Sequence, residues 1–325
     1  MADGPHHRVM TRWTDTDLPD LTGRTFVVTG ATSGLGLETA AALAAHSAQV
    51  VLTGRDRDRL ARSVATAAAT ASGPEPVGQM LDLADLASVR DAAAQLVQEH
   101  PVIDVLINNA GVMAPPRGQT KDGFETQIGT NHLGHFALTG LLLPALPVLD
   151  PSADARVVTV ASGAHRMGSV DPDDLFYDKR TYRPWQAYGQ SKLANLLFTL
   201  ALNQKAHDEG AHLIAAAAHP GYSVTNLQFA GPAYAQNPVG RLFTKGLNGV
   251  MGQSARAGSW PTLYAATQPD VAGGDYIGPG GFMEMRGHPE HVDRTDAAKD
   301  EATADRLWQR SEELTGVSYD WPVSV

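Results

Sequence analysis

The stretch "RTFVVTGATSGLGLETAAALAAHS", residues 24–47, changes its period halfway along. It begins as a β-branched apolar run and ends as an alanine-rich stretch of helical character. Glycines at 30, 34 and 36 lie between the two. Glycines at such a junction let the chain turn tightly and bring backbone N–H groups close to a pyrophosphate at a helix start. The spacing is G-x-x-x-G-x-G rather than the commoner G-x-G-x-x-G. An ordinary glycine-rich strand–helix turn is the plain alternative, and the rest of the chain has to decide.

The alternation continues. "AQVVLTG" (48–54) reads as a strand and "RDRLARSVATAAATA" (57–71) as a helix. "PVGQMLDL" (76–83), "IDVLINNAG" (103–111), "ARVVTVAS" (155–162) and "HLIAAAAHPG" (212–221) read as further strands with helical stretches between them. These strands are nearly continuous apolar runs, which implies burial on both faces and a parallel sheet covered by helices. Right-handed crossovers then give a doubly wound α/β fold with ligands at the carboxyl ends of the strands. Residues 1–20 read as a polar N-terminal tail and 21–325 as one domain. Two irregular stretches, 163–186 and 222–252, are long enough to be functional loops.

Composition narrows the function. Hydrophobic residues make up 43% and charged residues 18%, fitting a soluble globular chain. A net charge of -10 argues against nucleic acid and anionic membranes as partners. With no cysteine there is no disulfide, thiolate nucleophile or cysteine metal site. His6–His7 and "HPEH" (288–291) read as solvent-exposed histidines rather than metal ligands. The apolar run 133–149 is broken by Pro144 and Pro147 and reads as a buried helix rather than a membrane span. The helix "ATADRLWQRSEELTGV" (302–317) should close the fold with Leu307, Trp308 and Leu314 facing inward.

"AYGQSKLANLLF" (187–198) sets Tyr188 four residues before Lys192, on one face of a helix. Alone this pair is weak evidence. Together with "TGATSGLG" (29–36), "NNAG" (108–111), "NHLGHF" from Asn131, Ser162 and "HPGYSVT" (219–225), it resembles the short-chain dehydrogenase/reductase family over about residues 22–280. The long serine-to-tyrosine interval and the "HPG" context look most like the retinol-dehydrogenase-like members. The resemblance implies a single Rossmann-type domain with a mostly parallel seven-stranded sheet and helices on both faces. It also implies a nicotinamide cofactor held by Gly30, Thr32, Ser33, Gly34, Leu35 and Gly36, by Asp82 and Leu83, and by Asn109, Ala110 and Gly111. Tyr188, Lys192, Pro220, Gly221 and Thr225 complete that set.

By the same resemblance Asn131, Ser162, Tyr188 and Lys192 are catalytic. Tyrosine ionises near pH ~10, and an ammonium within ~4–6 Å should lower that value towards the range of a general acid/base. Ser162 would hold the substrate oxygen, and Asn131 would position a water on the way from Lys192 to solvent. The plain alternatives are a helix N-cap for Asn131 and a turn start for Ser162. "VVLTGRD" ends the second strand with Gly54 and Arg55, a guanidinium where an NAD site has a carboxylate, so NADP(H) is favoured. Asp56 leaves NAD(H) open.

For the substrate, Phe176, Tyr177, Tyr182, Trp185, Phe229, Tyr234 and Phe243, with Leu227 and Leu242, suggest an apolar pocket. A retinoid-, steroid- or fatty-aldehyde-like carbonyl or alcohol is the preferred class. Loop anchoring or a subunit interface is the alternative for these side chains. A turnover-dead NADP(H) sensor and an epimerase or dehydratase are the other functional readings. The resemblance also allows a homodimer or homotetramer, and the absence of an anchor points to a cytoplasmic location.

Overall fold

A computed structural model of the chain describes residues 12–222 and 253–322. Eight strands form one sheet: β1 Thr25–Val28, β2 Gln49–Gly54, β3 Val77–Met80, β4 Val105–Asn108, β5 Ala155–Val160, β6 Leu213–Ala218, β7 Tyr276–Pro279 and β8 Pro289–His291. Their order is β3-β2-β1-β4-β5-β6-β7-β8, parallel throughout except for β8, which runs antiparallel to β7. Seven strands are therefore one too few. The eighth lies in "HPEH", where Pro279 pairs with Pro289 and Ile277 with His291.

Strand alternation sends side chains to two cores. Phe26 and Val28 join one with Leu52, Ile107 and Ile277, while Val27 joins the other with Val51, Leu106 and Val157. Helices α1 (Gly34–Ala45) and α2 (Arg57–Ala68) cover the first face, packing Leu43 and Leu60. Helices α3 (Leu86–Glu99), α4 (Gly134–Leu142) and α5 (Pro184–Asp208) cover the second with Leu96, Phe136 and Leu197. Later in the chain α6 (Ala255–Thr267) returns to the first face, and α7 (Glu301–Thr315) closes the second with Leu307 and Trp308. Both faces of β1 are buried, and truncating Phe26 to alanine would cost about 3–5 kcal/mol. Doubly wound connectivity turns back between β1 and β4. That switch opens a cleft beyond their carboxyl ends.

Two boundaries differ from the sequence reading. The described part of the first twenty residues is not a tail: Trp13 and Leu18 are buried, and Asp15 accepts from Arg256 Nε and Trp260 Nε1 at 2.7 and 3.0 Å. The helical stretch before residue 149 begins only at Thr126. It passes through a π turn (Gly129–Leu133) into α4 and ends in a 3-10 turn at Leu143–Ala145, where Pro144 stops it. Among the described residues no helix is long and apolar enough to cross a membrane.

Candidate active site

The glycine loop is a cradle because its glycines are needed. Gly30 and Gly34 have φ of +64° and +56°, the left-handed region that a side chain disfavours. A Cβ on Gly36 would stand 2.5 Å from Asn109 Nδ2 and 2.6 Å from the Gly30 carbonyl. Ser33, at the N-cap of α1, makes no side-chain cap bond, and its Oγ lies 3.4 Å from Arg59 NH2 instead. The first N–H groups of α1 are thus left without a side-chain cap, facing a cleft that Thr32, Ser33 and Leu35 also line. Uncapped N–H groups behind a loop with no Cβ suit a pyrophosphate.

Thr29, the first residue of the "TGATSGLG" motif, locks the second wall to the first. Its hydroxyl accepts the N–H groups of Asn109 and Ala110 at 2.9 and 3.0 Å and lies 2.8 Å from His135 Nε2. His135 Nδ1 lies 3.0 Å from the Asn131 carbonyl, which can only accept, so the ring proton sits on Nδ1 and Thr29 donates to Nε2. Burial lowers His135 to about 4, which keeps it neutral. Asn109 Nδ2 donates to the Thr29 carbonyl at 2.7 Å, fixing Asn109, Ala110 and Gly111 along the cleft. The motif places Thr29 at the end of β1 but gives no sign that its hydroxyl joins the two walls.

Asn131 sits inside the π turn, fully buried. Its Oδ1 accepts from Val112 N at 2.8 Å, and its Nδ2 donates to Val112 O and Ser191 Oγ, both at 2.9 Å. It is not an N-cap. A Cβ on Gly111 would find Asn131 Oδ1 at 3.1 Å and Lys192 Nζ at 3.6 Å, which puts those two side chains at one point of the wall. Lys192 Nζ donates to the Val160 carbonyl at 2.9 Å, and burial lowers it to about 8. It also stands 5.8 Å from the centre of the Tyr188 ring. Ser162 Oγ accepts from Ala164 N at 3.2 Å, capping the 3-10 turn Gly163–Met167, and its hydroxyl meets the Tyr188 phenol.

One expectation is corrected here. Lysine was to lower the tyrosine, but in the protein alone burial pushes Tyr188 up to about 12, and Ser162 is the group opposing that rise. The Lys192 ammonium, turned to a carbonyl and itself weakened by burial, does not reverse it.

At the far end of the cleft, Gly54 and Arg55 close β2, and a Cβ on Gly54 would run into the methyl group of Thr32. Asp56 is occupied as the N-cap of α2, accepting from Arg59 N at 2.9 Å. Asp82 and Leu83 line the same end, with Asp82 Oδ1 accepting from Ala84 N at 3.0 Å. Near Tyr188, Pro220 lines the cleft, followed by Gly221 with φ +62°. Thr225, Leu227, Phe229, Tyr234, Leu242, Phe243 and the His6–His7 pair lie outside the described residues.

The aromatics of 163–186 divide. Phe176 stacks on Phe124 at 5.5 Å, Tyr177 is buried edge-on to Tyr182, and the Tyr182 hydroxyl receives Gln127 Nε2 at 3.0 Å and donates to Glu125 at 3.2 Å. These three anchor the loop rather than line a pocket. Trp185 differs: it is 44% exposed and edge-on to Tyr188 at 6.1 Å. Of the "HPEH" histidines, expected to be solvent-exposed, His291 is exposed and His288 is half-buried. His288 stacks on Trp260, and His291 faces Asp275 at 3.3 Å. Among the described residues no group of three or more His, Cys, Asp or Glu is arranged to hold a metal.

Comparison with known proteins agrees with this architecture. The family model described as short chain dehydrogenase matches residues 24–231. Human retinol dehydrogenase 14 is 38% identical over 331 residues, covering 97% of this chain and 92% of the relative. Human retinol dehydrogenase 13 is 36% identical, covering 91% and 85%. Mouse polyprenol dehydrogenase is 38% identical, covering 92% and 86%. A crystal structure of an uncharacterised protein from Mycobacterium paratuberculosis is 44% identical with a TM-score of 0.77, covering 95% of this chain and all of that one. The chain belongs to the short-chain dehydrogenase/reductase family, among its retinol-dehydrogenase-like members, and is an oxidoreductase acting on CH–OH groups.

Proposed function

We propose that the protein is an NADP(H)-dependent oxidoreductase interconverting a lipophilic alcohol and its aldehyde or ketone, with Tyr188 as general acid/base. The observation that carries this reading is the meeting of Ser162, Tyr188 and Lys192 at the end of a glycine-walled cleft. A dihydronicotinamide bound there supplies the hydride. In the reducing direction the Tyr188 hydroxyl donates its proton to the substrate oxygen as charge develops on it, while the Ser162 hydroxyl holds that oxygen by a hydrogen bond. Lys192 would hold the cofactor ribose and place positive charge 5.8 Å from the centre of the phenol ring, against the rise that burial causes. In oxidation the same proton returns to Tyr188.

Three features support NADP over NAD. Arg55 is exposed at the end of β2 and offers a fork for a 2′-phosphate. Asp56 is committed to its cap. The place a carboxylate on residue 54 would take is filled by Thr32. Trp185, open beside Tyr188, and the retinol and polyprenol dehydrogenases among the relatives support a lipophilic substrate.

The test is cofactor turnover with a panel of lipophilic aldehydes, ketones and alcohols, NADP(H) against NAD(H), with Tyr188→Phe in parallel. Turnover favouring NADP(H) that falls at least 10³-fold in the variant, with binding retained, is the expected outcome. Tight NADPH binding without turnover in either direction would replace this reading with that of a sensor.

A further inference from the structure

Met283 and Glu284 have φ of +52° and +55°, the one adjacent pair of left-handed non-glycine residues among those described. Such strain persists only where the surroundings impose it, and it collects at functional sites. Stability does not explain it here. The Glu284–Arg166 pair is partly open to solvent, with side chains 27% and 46% exposed, and such pairs contribute little.

The strained turn places Glu284 between two parts of the active site. One carboxylate oxygen lies 3.0 Å and the other 3.2 Å from Arg166 NH2. Arg166 belongs to the 3-10 turn that Ser162 caps. Glu284 Oε2 also lies 3.2 Å from Nε2 of the buried His219. The Gly221 N–H donates to His219 Nδ1 at 3.3 Å, so the ring proton sits on Nε2, within ion-pair distance of the carboxylate though without hydrogen-bond geometry to it. The backbone completes the contact. A Cβ on Gly221 would stand 2.5 Å from the Met285 carbonyl and 2.9 Å from that of Glu284, and Tyr222 N donates to Met285 O at 2.8 Å. From the other side Gln253 Nε2 donates to the Pro220 carbonyl at 2.6 Å.

We propose that Glu284 is a positioning residue for hydride transfer, tying the Ser162 turn to the Pro220–Gly221 loop through Arg166 and His219. It touches neither substrate nor cofactor. Its carboxylate sets the distance between the hydroxyl that holds the substrate oxygen and the loop beside the nicotinamide, and the left-handed backbone at 283–284 brings it there. This rests on the roles given above to Ser162 and the Pro220–Gly221 loop.

Glu284→Ala, Arg166→Ala and the double variant test the tie in the full chain. Each single variant should lose about tenfold in kcat, since small misplacements are costly in hydride-transfer geometry. NADPH Kd should change less than about threefold, because Arg55, Asp82 and the glycine loop are untouched. The double variant should be no worse than either single one. In Glu284→Ala, amide hydrogen exchange should quicken at least about tenfold at 163–168 and 219–222 and nowhere in the sheet. Undiminished kcat, additive losses, or a kcat loss matched by a general loss of protection would overturn the proposal. If the parent turns over none of the panel, the exchange decides alone: quickening confined to the two segments upholds the tie, and unchanged exchange overturns it.

Discussion

Lys192 Nζ stands 5.8 Å from the centre of the Tyr188 ring, yet its hydrogen bond goes to the Val160 carbonyl at 2.9 Å. Its charge is buried against a carbonyl rather than a carboxylate, and burial takes it from 10.5 to about 8. The sign follows. Between about pH 8 and 10.5 the folded protein holds fewer protons than the unfolded chain, so this group's contribution rises with pH across that window. At neutral pH the ammonium is a cost, retained for function.

Lys192→Met should therefore stabilise the cofactor-free protein at pH 7 while abolishing turnover. The Val160 carbonyl keeps a donor, Asn195 Nδ2 at 3.1 Å, so no buried acceptor is orphaned. A gain of about 1–3 kcal/mol, or roughly 2–6 °C in Tm, is expected at pH 7. It should shrink towards zero near pH 10. Thermal unfolding of both proteins at the two pH values checks it, and a gap independent of pH would refute the buried-charge argument.

Cofactor preference should respond to three residues together. Arg55→Ala should raise the NADPH KM about tenfold and leave NADH nearly unchanged, as loss of a charge-assisted phosphate contact requires. Gly54→Asp with Arg55→Ile should improve NADH use only modestly, because the new side chain meets the Thr32 methyl. Adding Thr32→Ala should release it. Steady-state kcat/KM for both cofactors across the three variants is the measurement, and equal NADH efficiency of the double and triple variants would remove Thr32 from the account.

How legible this was in the sequence depends on the range of the contacts. Strands β1, β2, β4, β5 and β6 were readable because each is a short apolar run buried on both faces, whereas Val77 and Gly78 of β3 are exposed. Strand β8 was not: it is three residues long, starts with proline, exposes Glu290 and His291, and exists through its pairing with β7. Trp13 looked like part of a polar tail because its neighbours are polar, while its partner, Tyr264, lies 251 positions on. In the site, Ser162, Tyr188 and Lys192 come together at the cleft, but their protonation does not follow from spacing. Tyr188 is governed by burial, which a sequence does not carry. The aromatic loop misled for a related reason: composition cannot tell Tyr182, spent on Glu125 and Gln127, from Trp185, which stays open.

Thr29→Val tests how the cleft walls are joined. Valine keeps the shape but leaves the Asn109 and Ala110 N–H groups and His135 Nε2 without the hydroxyl. Asn109 N keeps the Ile107 carbonyl at 3.0 Å, so the groups left unpaired are the Ala110 N–H and His135 Nε2; at about 1–3 kcal/mol each, a loss of about 2–4 kcal/mol in urea unfolding is expected. Thr29→Ser should recover most of it. A valine variant as stable as the parent would mean that the walls are held by packing alone.

Met283→Gly tests whether the 283–284 turn is strained. The left-handed conformation costs an L side chain roughly 1–2 kcal/mol, and glycine avoids that cost. Glycine also loosens the unfolded chain, which offsets roughly 0.5–1 kcal/mol. Met283 is 74% exposed, so little packing is lost with its side chain. The net expectation is a gain of about 0.5–1 kcal/mol over both the parent and Met283→Ala, or roughly 1–2 °C in Tm. Alanine is the informative control, since it removes the same side chain and keeps the strain. If the glycine variant proved less stable than the alanine one, the turn would be relaxed, and the conformation of Glu284 would need no functional explanation.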